Sequence, residues 1–174
     1  MSLLPGKLRA LHKRPRQADD WYRESRKAVV SLFEAVTFSG TVHDPCCGEG
    51  LIVEIAREYG YEATGADLID RGFGETGIDF LSDWTPRDAL AFNAPYRRNE
   101  EFIAHSFEVA AGQIAALVRV PFLSGQQRYR DLYRVTPPSL VLVLSRRPSM
   151  PPGAWPDRLT RRGGYPTILD WAKP

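Results

Sequence analysis

The sequence predicts one α/β domain whose mostly parallel, seven-stranded sheet is covered by helices on both faces. Short apolar runs of strand length alternate along the chain with segments in which apolar residues recur at helical spacing. Such alternation is typical of parallel sheets. The length of 174 residues is that of a single domain, and no internal repeat divides the chain. We therefore expect a basic, flexible arm at residues 1–20 and one domain at residues 21–174.

The helices are predicted where apolar residues recur every three or four positions, and the strands where apolar runs are short and continuous. The predicted helices span residues 25–36, 51–59, 100–117 and 129–133. The predicted strands span residues 41–43, 62–68, 77–81, 89–92, 118–122, 140–144 and 167–171. The last strand is a candidate to return antiparallel to the others.

The net charge of +2 is unevenly distributed along the chain. Residues 1–30 and 91–174 carry net charges of +5 and +6, whereas residues 31–90 carry −9. Basic flanks of this kind favour a polyanionic partner such as nucleic acid. No apolar run reaches the roughly 18 residues that a membrane span requires, and the N-terminal residues lack the order of a secretory signal. We expect a cytoplasmic protein with no membrane partner.

The cysteine content argues against a disulfide framework and against a metal site. Cys46 and Cys47 are adjacent, so they offer no spaced set of ligands. His43 lies close by in sequence, but no second cluster of cysteine and histidine accompanies it. No metal is therefore predicted.

The segment DPCCGEG at positions 44–50 joins the first predicted strand to the second helix. Gly48 and Gly50 allow a tight turn and a close approach of the backbone to a ligand at the helix start. A dinucleotide-binding loop would have a third glycine where this chain has Val53, which weakens a pyrophosphate interpretation. Asp67, at the end of the second strand, is placed to accept hydrogen bonds from both hydroxyls of a ribose.

The segment FNAPY at positions 92–96 directly follows an apolar strand. Together with DPCCGEG, it resembles the class I methyltransferases that modify amino groups, especially the adenine-N6 DNA methyltransferases of phage type. Their hallmark is (Asp/Asn/Ser)-Pro-Pro-(Tyr/Phe/Trp) at the end of the fourth strand, from which Ala94 departs. Further segments that resemble this family are DWY at 20–22, followed by RES in place of the usual Pro-Thr-Pro, DFL at 79–81 and SRRPSM at 145–150.

The resemblance covers most of the chain and implies a Rossmann-like methyltransferase fold with S-adenosylmethionine as the cofactor. It places the cofactor against the segment before the first helix, the glycine-rich loop and the ends of the second and third strands. The residues assigned to the cofactor pocket are Tyr22, Asp44, Pro45, Cys46, Gly48, Gly50, Asp67, Leu68, Asp79 and Phe80.

The resemblance also implies that residues 93–96 hold a target amine. An exocyclic amine of a base is a poor nucleophile because its lone pair is delocalised into the ring. The side-chain oxygen of Asn93 and the carbonyl of Ala94 would accept its two N–H bonds and help to localise that lone pair. Pro95 would stiffen the turn, and Tyr96 would offer a face for stacking of an extruded base. We expect methylation of adenine N6 in DNA.

Ala94 leaves other acceptors open. A non-proline residue at that position occurs in rRNA adenine dimethyltransferases, and related enzymes methylate protein glutamine, so RNA and protein are alternative substrates. A catalytically silent nucleic-acid-binding protein with the same fold is the alternative in another class.

DNA is favoured over RNA as the partner. The 43 residues between Tyr96 and Leu140 leave no room for a separate recognition domain, so short or relaxed target specificity is expected. The residues predicted to contact nucleic acid are Lys13, Arg14, Arg97, Arg98, Arg128 and Arg130.

Overall fold

The computed structural model of the protein describes residues 20–144, 150 and 166–173. Within them, one seven-stranded sheet has the order β3-β2-β1-β4-β5-β7-β6. The strands are β1 (Val42–Asp44), β2 (Ala63–Asp67), β3 (Glu75–Thr76), β4 (Ala89–Phe92), β5 (Ile114–Arg119), β6 (Leu140–Val143) and β7 (Pro166–Trp171). Strands β1 to β5 pair in parallel, and β7 is antiparallel to both β5 and β6. The predicted mostly parallel, seven-stranded sheet is confirmed.

Helices pack against both faces of this sheet. The helices are α1 (Arg26–Ala35), α2 (Leu51–Glu58), α3 (Asn99–Val109) and the short α4 (Gln126–Arg128), which continues into a π-helical turn at Tyr129–Tyr133. In β4, Ala89 and Ala91 pack into the core formed with α1 and α2, whereas Leu90 and Phe92 pack into the core formed with α3. Successive side chains of one strand therefore bury opposite faces, as a doubly covered sheet requires.

Helices α1 and α2 form where the apolar periodicity predicts them. α1 buries one apolar face against the sheet. α2 begins after Gly50, whose φ of 90° lies in the left-handed region. A Cβ at Gly50 would also overlap the ring of Phe73. Backbone conformation and space thus both require glycine at the start of α2.

The predicted helix over residues 100–117 is wrong in its second half. α3 ends at Val109, and β5 begins at Ile114. Between them, the Ala111 and Gly112 N–H groups leave the helical pattern and donate to carbonyls of the segment that precedes β4. All residues of β5 except the last are buried, because cores lie on both faces of this strand. A continuous apolar run of this kind also satisfies helical spacing, which is why the periodicity extended too far.

Two other predicted strands have the wrong bounds, since β3 and β5 begin two and four residues earlier than predicted and short 3₁₀ turns occupy part of the predicted ranges. Residues 77–81 lead into the turn Phe80–Ser82, where the Asp79 carboxylate accepts a backbone N–H at 3.2 Å. Residues 118–122 hold the end of β5 and a second turn with Pro121 in its first positions. Proline lacks the N–H that a strand ladder needs, so the strand stops before it.

The ends of three parallel strands meet at one edge of the sheet. β1 pairs with β2 on one side and with β4 on the other. Asp44 closes β1, Asp67 closes β2, and Asn93 directly follows β4. The carboxyl edge of a parallel sheet is where α/β proteins bind ligands. Among the described residues, no helix is long and apolar enough to cross a membrane.

Candidate active site

A cavity lies at the carboxyl edge of the sheet, between the loops that follow β2 and β4. Trp21, Arg71 and Ile78 line this cavity and are not among the predicted site residues. The predicted residues that line it are Pro45, Cys46, Asp67, Leu68, Asp79, Phe80, Asn93, Pro95, Arg97 and Arg98. The structure therefore gathers residues predicted for the cofactor, the target and the nucleic acid around one cavity.

The glycine-rich loop brings its backbone close to the tip of β2. Gly48 has a φ of 56°, and a Cβ there would lie 3.0 Å from the indole nitrogen of Trp21. The N–H of Gly48 donates to Asp67 Oδ2 at 2.9 Å. The left-handed backbone and the proximity of Trp21 explain the glycine at this position.

Asp67 is held by backbone donors on both of its oxygens. Besides the bond from Gly48 to Oδ2, the N–H of Ile69 donates to Oδ1 at 2.9 Å. The Arg71 guanidinium lies 3.9 Å from Oδ2. A carboxylate has about four acceptor positions, so the two backbone bonds fix its orientation and leave capacity for a ligand. This arrangement suits the predicted contact with the hydroxyls of a ribose.

Asn93 is held by the hydrogen bonds that it donates, whereas Asp67 is held by those that it accepts. Its Nδ2 donates to the carbonyl of Tyr22 at 3.0 Å and to Oε1 of Glu24 at 2.9 Å. Its Oδ1 is buried and has no hydrogen-bond partner among the described residues. A buried unpaired acceptor is unfavourable and rare in folded proteins. Because Asn93 lines the cavity, a ligand in the cavity can supply the missing donor.

Acidic side chains concentrate beneath this edge of the sheet. Burial raises the pKa of Glu24 to about 7, and the nearby Glu49 and Asp67 add to the effect. Burial, followed by the charge of Glu24, raises the pKa of Asp44 well above its usual range. Burial likewise raises the pKa of the Cys46 thiol. Such a region favours a positively charged ligand, because a cation relieves the repulsion among the carboxylates.

No metal site accompanies these acids in the described ranges. No group of three or more His, Cys, Asp or Glu side chains there is arranged to hold a metal ion.

The backbone N–H of Cys46 donates to Asp44 Oδ1 at 3.1 Å, so this carboxylate stabilises the turn into the glycine-rich loop.

Trp21 and Arg71 form one wall of the cavity. Neither residue was predicted from the sequence as part of the site. The Arg71 guanidinium lies 3.9 Å from the centroid of the Trp21 ring, a cation–π arrangement. The DWY segment resembles a cofactor motif, and Tyr22 is its predicted contact. The neighbouring Trp21 lines the cavity instead.

Tyr22 and Tyr96 form a stacked pair beside the cavity. Their ring centroids are 4.9 Å apart, with an angle of 24° between the planes. The Arg119 guanidinium lies 5.6 Å from the centroid of Tyr96. The methyl group of Ala94 is buried in the core on the α3 face. The stacking of a base on Tyr96 and the carbonyl contact of Ala94 stay predictions, and in this structure Tyr96 packs on Tyr22.

The predicted nucleic-acid contacts differ in their surroundings. Arg97 and Arg98 line the rim of the cavity, and Arg98 pairs with Glu101 at 3.1 Å. Arg130 is exposed after α4. Lys13 and Arg14 lie outside the described residues.

Arg128 is engaged within the protein. It pairs with Glu100 at 2.7 Å and donates to the carbonyls of Phe122 and Ser124. Its guanidinium also lies 4.1 Å from the centroid of the Phe122 ring. These contacts stabilise the segment after β5.

The structure is similar to solved methyltransferases. A candidate RNA methyltransferase from Pyrococcus horikoshii matches with a TM-score of 0.63 and 13% identity, over 85% of this chain and 82% of that one. An S-adenosylmethionine-dependent methyltransferase from Archaeoglobus fulgidus matches with a TM-score of 0.57 and 12% identity, over 86% and 95%. The 1,6-didemethyltoxoflavin-N1-methyltransferase of Burkholderia thailandensis matches with a TM-score of 0.56 and 12% identity, over 85% and 77%. No protein-family model and no curated protein matches the sequence.

These similarities establish the fold. The chain has the Rossmann-like fold of class I methyltransferases, which confirms the fold predicted from the sequence. The names of the three proteins refer to RNA, to the cofactor and to a small heterocycle, so the shared fold does not select an acceptor. The choice of acceptor must come from the residues of the cavity.

Proposed function

We propose that the protein is an S-adenosylmethionine-dependent methyltransferase that modifies the exocyclic amine of a nucleic-acid base, with adenine N6 in DNA as the specific target. The observation that carries this proposal is the buried, unpaired Oδ1 of Asn93, a residue that lines the same cavity as Asp67. The methyltransferase fold and the resemblance of residues 92–96 to amine-modifying methyltransferases support it.

The cavity suits the proposed cofactor. Asp67 keeps acceptor capacity for a pair of ribose hydroxyls. Leu68 is 54% exposed and lines the cavity, where it can cover one face of an adenine ring. The carboxylates of Glu24 and Asp44 favour a positive charge nearby. When bound, S-adenosylmethionine supplies an electrophilic methyl group on a cationic sulfur.

Asn93 would supply an acceptor for the target amine. An amine N–H that donates to Oδ1 would satisfy this buried oxygen and hold the amine in one orientation. By accepting that N–H, Oδ1 would polarise the amine and help to localise the lone pair on its nitrogen. Fixed alignment of two reacting groups contributes several kcal/mol to a transfer reaction. In the transfer the sulfur–methyl bond would break as the nitrogen–methyl bond forms, and the proton lost from the amine would pass to solvent, so Asn93 would not change its protonation.

The charges around the cavity favour a nucleic-acid acceptor over a protein glutamine. Arg97 and Arg98 line the rim, and Arg119 lies beside Tyr96. Positive side chains around the cavity can contact the phosphates that flank an extruded base. A glutamine side chain in a protein loop brings no such charge.

Methyl transfer to defined polymers tests the proposal. The protein is incubated with S-adenosylmethionine carrying a labelled methyl group, and unmethylated duplex DNA, single-stranded DNA, RNA and a protein extract are offered separately. We expect label in DNA, recovered as N6-methyladenine after digestion. Label confined to RNA would move the target to RNA and keep the amine chemistry. Label in no polymer, with S-adenosylhomocysteine binding intact, would support the silent alternative.

A further inference from the structure

We propose that Glu24 is a positioning residue for methyl transfer, which locks the Asn93 amide so that its oxygen faces the target amine. The identity of that amine rests on the proposed function. The structural basis is the pair of bonds from Asn93 Nδ2 to the Tyr22 carbonyl and to Glu24 Oε1. These bonds join the segment before α1 to the end of β4.

The two bonds fix the orientation of the amide, with its nitrogen toward Tyr22 and Glu24. An asparagine amide has two N–H donors and one oxygen, and here both donors are used. Rotating the amide by 180° would place Oδ1 against two acceptor oxygens and lose both bonds. Without Glu24 only the Tyr22 carbonyl would resist that rotation. Glu24 therefore makes Asn93 an acceptor rather than a donor toward the cavity.

The charge of Glu24 acts in the same direction as its geometry. A carboxylate accepts a stronger hydrogen bond than a neutral group, and it polarises the amide that donates to it. The negative charge on Asn93 Oδ1 thereby increases, which strengthens its bond to an amine N–H. The charged groups that surround Glu24 are Asp44 at the end of β1, Asp67 at the end of β2, Glu49 in the glycine-rich loop, Arg23 next to it in sequence and Glu54 on α2.

Glu24 acts through Asn93 rather than on the target. It borders a separate groove with Trp21, Glu49 and Glu54 and is not among the residues that line the cavity, and its contact with the site is the bond from Asn93 Nδ2. Glu54 lies in the first turn of α2 and borders the same groove. Glu54→Gln is therefore a matched control, since it removes a carboxyl group from the same groove without removing a hydrogen bond to Asn93.

An exchange of hydrogen-bonding roles tests the lock. Asn93→Asp removes both amide N–H donors and sets a second carboxyl group against Glu24, so that the two groups must either repel each other or share a proton. Methyl transfer to unmethylated duplex DNA should fall at least about tenfold, while S-adenosylhomocysteine affinity stays within about twofold. Adding Glu24→Gln provides an N–H donor to the new carboxylate and should recover at least about tenfold of the rate. Adding Glu54→Gln instead should recover nothing. Equal recovery by both variants, or recovery by neither, overturns the proposal.

A spectroscopic test needs no substrate. The side-chain NH₂ signals of Asn93, assigned by their absence in Asn93→Ala, should shift with a midpoint near the pKa of Glu24, about 7. The shift should vanish in Glu24→Gln and persist in Glu54→Gln. If the chemical shifts of these signals change neither with pH nor in Glu24→Gln, the proposal is overturned whatever the transfer assay gives. If the shift is present and wild-type protein methylates none of the offered polymers, the lock is supported and the proposed function is what fails.

Discussion

Asp67 and Asn93 stand at the ends of the two strands that flank β1, and they are held in opposite ways. Asp67 receives N–H groups from Gly48 and Ile69, which fix the carboxylate and leave it further acceptor capacity. Asn93 donates both of its amide N–H groups in hydrogen bonds, and its oxygen has no partner among the described residues. Both residues line the same cavity, and each has a fixed orientation with acceptor capacity left over.

The difference lies in where the supporting groups come from. Asp67 is held by backbone close to β2 and by the loop of the adjacent strand β1. Asn93 is held by residues 69 and 71 positions earlier in the chain. The groups that fix Asp67 therefore lie in neighbouring strand–loop units, whereas the groups that fix Asn93 depend on how residues 22–24 dock. Loss of the contacts to Asn93 alone should affect transfer before it affects cofactor binding.

The largest effect should come from Asn93→Ala, which removes the only side-chain acceptor proposed for the target amine. Losing one preorganised polar group at a reacting centre typically lowers the rate about a hundredfold or more. Single-turnover methyl transfer should fall by at least that factor. Calorimetric titration with S-adenosylhomocysteine should give nearly unchanged affinity, because Asp67 and its backbone donors are untouched.

A matched control for this variant is Asn99→Ala on α3. Asn99 is also buried and also has an unpaired Oδ1 within the described residues, but it belongs to the helix after the target loop. Asn99→Ala should keep most of the transfer rate. Unimpaired transfer by Asn93→Ala would exclude Asn93 from the site.

Asp67→Ala should have the next largest effect, and on binding rather than on transfer alone. A charge-assisted hydrogen bond is worth about 1.5–3 kcal/mol, so S-adenosylhomocysteine affinity should fall roughly 10- to 150-fold. The neighbouring carboxylate Asp70, which accepts the N–H of Gly72 at 2.9 Å on an exposed turn, provides the control. Asp70→Ala should bind normally. If Asp67→Ala also bound normally, the ribose contact would be wrong.

Local signals in the sequence predicted the groups on the cavity but not what holds them. DPCCGEG, Asp67 and FNAPY each lie at the end of a strand, and parallel topology alone brings such ends together. Glu24 gave no signal, because its role depends on a contact 69 residues away in sequence. Trp21 was missed for the same reason, although the segment that contains it was noted.

Apolar patterning predicted the presence of the sheet, but it predicted the bounds of the doubly buried strand β5 less accurately. The half-buried helices α1 and α2 have one apolar face each, so their period is readable. β5 is apolar on both faces, and such a run fits the helical period as well as a strand. The resulting error extended the predicted helix past Val109, while the existence of a strand in this region was predicted.

Glu24→Gln should change the pH dependence of stability. In the folded protein burial raises the pKa of Glu24 from 4.5 to about 7, so the fold favours the protonated form. Below pH 4.5 the residue is protonated in both folded and unfolded chains. Between pH 4.5 and about 7 only the unfolded chain releases the proton, so stability decreases as pH rises. The variant cannot titrate, and its melting temperature relative to wild type should increase from pH 5 to pH 8. A constant difference would contradict the burial of this carboxyl.

The smallest effects should separate two arginines on the target side. Arg97 lines the cavity rim, so Arg97→Ala should weaken duplex DNA binding and reduce the slope of log affinity against log salt by about 1. Arg128 is paired with Glu100 and bound to two carbonyls, so Arg128→Ala should lower the melting temperature and leave the salt slope unchanged. Fluorescence anisotropy with a labelled duplex at several salt concentrations measures both slopes. A reduced slope for Arg128→Ala would instead support the sequence-based prediction that this residue contacts phosphate, and would mean that its pair with Glu100 opens when DNA binds.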